Sequence, residues 1–111
     1  MKPEQQIIAI AEACGWTDCV FVESIKLTKG FPPLNNPPSY GTYENGMAQL
    51  PNYCNDLNAM HEAEKVLFPK HEAKWAEYMS IVCGHSWRII WTATAAQRAE
   101  AFLRTLDLWK P

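Results

Sequence analysis

Glycine is scarce in this chain, five residues in 111, and no cluster of them forms a phosphate-cradling loop. Also missing are a Ser elbow and the helical His-Glu pair of a metalloprotease, so no catalytic motif stands in the sequence. Histidine is limited to three residues and cysteine to four. The nearest ligand candidates, Cys83 with His85 and then His61 and His71, lack zinc-site spacing, so neither a metal nor another cofactor is expected. A large charge of one sign is absent too: ten Lys plus Arg against twelve Asp plus Glu give a net charge of -2. Without a broad positive field, duplex nucleic acid is excluded as the expected partner. The N-terminal apolar run is short and interrupted by Glu12, so neither a signal peptide nor a membrane span is expected, and the chain reads as cytoplasmic. Cys14, Cys19, Cys54 and Cys83 then read as buried thiols rather than a disulfide framework.

What is present suits one domain over residues 1–111, since a chain of this length can enclose one core but not two. Hydrophobic residues make up 48%, with five Trp, four Tyr and four Phe, enough to exclude global disorder. Pro3 and Glu4 suit a helix start, Ile7, Ile10, Ala11 and Cys14 form one stripe, and Gly15 suits a left-handed closing residue with Trp16 packing back. "DCVFVESIKLTKG" reads as a strand. From Gly30 to Gly46 two Pro pairs forbid helix and central strand, leaving a long Pro/Tyr-rich loop that offers Tyr40 and Tyr43, with a short strand at "GMAQL" following.

Asn52 is placed to cap a second helix whose apolar arc holds Tyr53, Leu57, Met60 and Leu67. Pro69 suits the start of a third, with Trp75, Met79 and Val82 as its stripe and Gly84 at its end. "HSWRIIWTAT" reads as a central strand. Thr94 with Gln97 is a capping-box pattern, and Ala95, Ala99, Phe102, Leu103 and Leu106 trace a last apolar face, with Trp109 folding back. The expected fold is therefore α+β: a small antiparallel sheet of about three strands with about four helices, sandwich-like.

Two charges sit on apolar faces. Asp56 lies inside the arc of the second helix and Arg98 flanks Phe102 on the last. A buried carboxylate needs a partner. The helix's own N-terminus is one, and the sequence predicts Arg98 as the other, a structural ion pair across the helix seam. Around the same helix Asn55, Asn58, Glu62 and Lys65 occupy the polar side with His61 at the boundary. Two Asn within a helix are unfavourable for helix formation, which hints at binding. A planar phosphorylated ligand would need aromatic stacking, cations and amides. Trp16, Tyr40, Tyr43, Trp87 and Trp91, then Arg88, Arg98 and Arg104, then Asn55 and Asn58 supply them.

Three segments, "IAIAEACGWTD", "PNYCNDLNAMHEAEKVL" and "TATAAQRAEAFLRTLDLW", resemble the small bacteriophage proteins grouped as the phage ABA sandwich domain family. The resemblance implies helices on both sides of a sheet. It also implies a phage protein in the host cytoplasm that acts on host defence as a sponge: a non-catalytic homo-oligomer sequestering a nucleotide-derived immune signal. On that expectation Asn55, Asn58, His61, Arg88, Arg104, Tyr40 and Tyr43 would bind the ligand. The alternative is a protein-binding inhibitor or adaptor docking through the Tyr-rich loop. A third possibility, nucleotide cleavage, would need a general base, for which His61 is the candidate.

Overall fold

The computed structural model describes residues 1–33, 46–67, 72–83 and 92–110. Helix α1 spans Pro3–Ala13, with Pro3 in its first turn, where a missing N–H costs nothing. It ends as its sequence predicts. Gly15 adopts φ +101°, and the Trp16 and Gly15 amides donate to the carbonyls of Ala11 and Glu12 at 3.0 and 3.1 Å. That pairing is the Schellman closure, and it carries Trp16 into the core at 4% exposure.

The stretch read as one strand is a hairpin, β1 (Thr17–Val22) and β2 (Leu27–Phe31), antiparallel. Residues 23–26 make the turn, with Lys26 at φ +52° and a 3.8 Å ion pair from Lys26 to Glu23. The ladder is irregular between Thr17 and Val20, where one extra residue stands in β1 against Phe31–Lys29. This is a β-bulge, with Asp18 at φ +51°. It lays Cys19 over Gly30, where an added Cβ would meet the Cys19 Sγ at 3.0 Å and the Thr17 carbonyl oxygen at 3.1 Å. Strand β3, Ala48–Gln49, pairs with β2 and completes the order β1-β2-β3.

Helix α2 covers Leu57–Glu64, shorter than expected. Its N-cap is Asp56, not Asn52: an Asp56 carboxylate oxygen accepts the Asn58 N–H at 2.9 Å, while residues 53–55 form a turn. Helix α3 is Glu72–Cys83 and α4 is Ala95–Thr105. The capping box at α4 is present: Thr94 Oγ1 accepts from the Gln97 amide at 3.1 Å, and Gln97 Oε1 accepts from the Thr94 amide at 2.8 Å. Asp107 takes a left-handed φ of +59°, and the Leu108 amide bonds the Leu103 carbonyl at 2.8 Å, a second Schellman-type end with a non-glycine residue. Beyond it, Trp109 packs against the core and lies 5.0 Å beneath the Arg104 guanidinium carbon.

Among the described residues the single α+β domain thus holds a three-stranded antiparallel sheet and four helices. α1 packs on β1 and β2, and α4 packs on α1, α2 and α3. Ile10, Leu50, Met60, Leu67, Phe102 and Leu103 are fully buried, each contributing about 1.5–3 kcal/mol on burial, and Tyr78 is buried with them. The Pro/Tyr-rich loop read from Gly30 to Gly46 starts later than expected, because Gly30 and Phe31 end the middle strand β2 ahead of the first Pro pair. Residues 34–45 lie outside the described residues, as do Pro69, Gly84 and the part of the "HSWRIIWTAT" strand before Thr92, whose described end, Thr92–Thr94, leads into α4 and is not strand.

Candidate ligand-binding cleft

The predicted pairing of Asp56 with Arg98 is not made. Asp56 serves the first of its two expected partners, the helix N-terminus, and Arg98 Nη1 bonds Glu64 Oε2 at 3.3 Å. The seam between α2 and α4 is bridged as foreseen, but by the carboxylate two turns further along. The reason lies in where α2 begins. With Asp56 outside the first turn, Glu64 stands one turn after Met60 on the buried arc, and it is 7% exposed.

Glu64 is shared. Its Oε1 lies 2.9 Å from His61 Nδ1, one turn back on α2, where spacing of three residues brings side chains together. Arg98 in turn donates from Nε to the Ala93 carbonyl at 3.4 Å. The side chains of Glu64 and Arg98 are each 9% exposed, whereas that of His61 is 56% exposed. The arrangement runs from a buried guanidinium through a buried carboxylate to an imidazole at the surface.

Tyr78 of α3 closes the inner side. It is fully buried, and its hydroxyl, beside Glu64 and Arg98, makes no hydrogen bond among the described residues. Burial first, then the negative Glu64, pushes its phenol well above the ordinary value, so it remains a neutral hydroxyl and is no nucleophile. Its ring packs against Trp75, with centroids 5.6 Å apart and planes tilted 38°.

A cleft of about 300 Å³ opens beside this group, lined among the described residues by His61, Glu64, Lys65 and Trp75. That volume is at the lower end for small-molecule sites. Trp75 offers an indole wall. Lys65 stands at the rim, paired with Glu62 at 2.9 Å. Other hollows among the described residues include one of about 750 Å³ along Met1, Ile8, Ala9, Ala13 and Leu108, and one of about 210 Å³ where α1 faces β2. Neither is backed by buried charges, and the His61 cleft is.

The expected ligand set is therefore divided. His61 lines the cleft. Asn55 lines the 210 Å³ hollow, with Asn52 and Phe21. Asn58 is exposed at the start of α2. Arg104 is held by Glu100 at 3.0 Å and by Trp109. Arg88, Tyr40 and Tyr43 lie outside the described residues. Sequence reasoning missed Glu64, Tyr78 and the role of Trp75. The signal for Glu64 was available: it falls seven residues after Leu57 and three before Leu67, both assigned to the apolar arc.

Cys14, Cys19, Cys54 and Cys83 form no disulfide. Burial raises the Cys14 thiol from 9.0 to about 12, against a small lowering by its hydrogen bond with Tyr53. Burial, then the negative Glu12 and Asp18, raises Cys19 to about 11. These are inert thiols. No group of three or more His, Cys, Asp or Glu among the described residues is arranged to hold a metal ion, and no described helix is long and apolar enough to cross a membrane. No known protein family, characterised protein or solved structure matches the chain.

Proposed function

We propose that this protein captures a small nucleotide-derived signalling molecule without transforming it, with the His61 cleft as the pocket of each subunit of a homo-oligomer. The observation that carries this is the cleft itself: an indole wall from Trp75 next to an imidazole oriented by a buried Glu64–Arg98 pair. A planar ring stacks on the first, and the second supplies a directional polar contact. Preorganisation lowers the cost of binding, because the side chains behind His61 are already ordered. The three segments resembling phage ABA sandwich proteins favour a role against host immunity, in the host cytoplasm, as a sponge.

The experiment is native mass spectrometry of protein purified gently from cells that express nucleotide-signalling immune enzymes. A few hundred daltons of extra mass per subunit, released intact on heating and lost in Trp75→Ala, is the expected result. Protein that stays bare after exposure to a broad panel of such nucleotides overturns it.

A second reading has one specific observation behind it. An imidazole hydrogen-bonded through Nδ1 to a carboxylate is the geometry of a general base, so the same cleft is suited to cleaving a bound nucleotide. Recovery of the ligand as smaller products, abolished in His61→Gln, would select cleavage over capture.

A further inference from the structure

We infer that Glu64, fixed by Arg98, is a positioning residue that holds His61 in the Nδ1–H tautomer, so that Nε2 is the hydrogen-bond acceptor of the cleft and the ligand presents a donor to it. This rests on the capture reading for its ligand, and it adds the ligand's chemistry. A carboxylate is acceptor-only. Glu64 Oε1 lies 2.9 Å from His61 Nδ1, so in the neutral imidazole the proton must sit on Nδ1 for that contact to be favourable. The other carboxylate oxygen is occupied by Arg98 at 3.3 Å. That bond keeps Glu64 from turning away, and the pair's burial keeps water from competing.

The consequence for recognition runs against the usual assumption that a histidine beside a lysine binds phosphate. Nε2, with no partner among the described residues, offers a lone pair and disfavours a bare phosphate oxygen, which also needs a donor. What suits it is an N–H or O–H group. With Trp75 as the flanking wall, the matching chemistry is a planar ring carrying an exocyclic amine, stacked on the indole with its amine directed at His61. Any phosphate would reach outward to Lys65, which would exchange Glu62 for it at the rim.

The test has two measurements on the full chain. Long-range proton–nitrogen correlation spectra of the neutral His61 ring identify the protonated nitrogen directly. The Nδ1–H form is expected in the native protein, with a shift toward the Nε2–H form in Glu64→Gln. A native protein with Nε2–H, or no change in Glu64→Gln, would overturn the tautomer assignment, and the native spectrum decides this even if the variant fails to fold.

The second measurement titrates the protein with adenosine and with purine riboside, which lacks only the exocyclic amine. Adenosine is expected to bind about tenfold more tightly, the upper end for one neutral hydrogen bond. Equal binding of both would overturn the ligand assignment while leaving capture intact. Binding of neither, with Nδ1–H observed, would overturn capture of such nucleosides and leave the positioning role of Glu64 standing.

Discussion

Replacing Arg98 by Ala tests the centre of the molecule. The native pair is 3.3 Å apart, with both side chains 9% exposed, so the substitution leaves Glu64 buried without its cation. Breaking a buried pair from one side costs about 3–5 kcal/mol, against about 0–1 kcal/mol for an exposed pair. A domain of ordinary stability has about 5–15 kcal/mol in total, so Arg98→Ala should consume a large part of it. The midpoint of thermal unfolding should fall by on the order of 10–20 °C. Urea unfolding followed by circular dichroism gives the loss directly. The double variant Glu64→Met with Arg98→Met removes both charges and keeps much of the volume, and it should recover most of the lost stability. A loss under about 1 kcal/mol in Arg98→Ala, or a double variant no more stable than Arg98→Ala, would show that the pair is solvent-screened and that burial has been given too much weight.

Asp56→Ala should cost about 1 kcal/mol, the value of a helix cap, and Asp56→Asn much less; a loss as large as that of Arg98→Ala would reinstate an ionic role for Asp56. Gly30→Ala should destabilise by about 1–3 kcal/mol in urea unfolding, because the new methyl meets backbone at Thr17 and Cys19 as well as the Cys19 sulfur, and neutrality there would mean that the bulge yields easily. Raising pH should erode stability: folded Cys14 and Cys19 keep their protons up to about 12 and about 11, while the unfolded thiols lose theirs near 9.0. The unfolded state then binds fewer protons above pH 9, so stability falls as pH climbs toward those folded values. Urea midpoints at pH 8, 9.5 and 10.5 should drop less steeply in Cys14→Ser.

Punctuation was the most legible part of the sequence. Pro3, Gly15, Thr94 and Gln97 act through local backbone geometry, and each does in the fold what its position predicts. The strand at "GMAQL" is present for the same kind of reason. The hairpin was hidden because its turn, Glu23–Lys26, carries none of the usual Asn or Gly and relies on Lys26 adopting a left-handed φ. The ion pair was half legible: Arg98 was correctly set against α2, but choosing its partner required the first residue of that helix, and helix ends are the least certain feature of a periodic pattern. Tyr78 was missed although it stands three residues after Trp75 and four before Val82, on the face of that same stripe, and α3 turns it fully inward.

The packing of α4 on α1, α2 and α3 also bears on how the chain reaches this fold during synthesis. The β1–β2 hairpin is local and can pair on the microsecond scale once it emerges. The core cannot close then, because Ala99, Phe102 and Leu103, which complete it, belong to α4, made after the other described helices. Until residues 95–105 leave the ribosome, Ile10, Met60 and Tyr78 lack the surface that covers them. A nascent chain paused before that point would display an incomplete apolar core. Substitutions that weaken α4 would therefore raise dependence on chaperones even where the finished protein, once assembled, holds together.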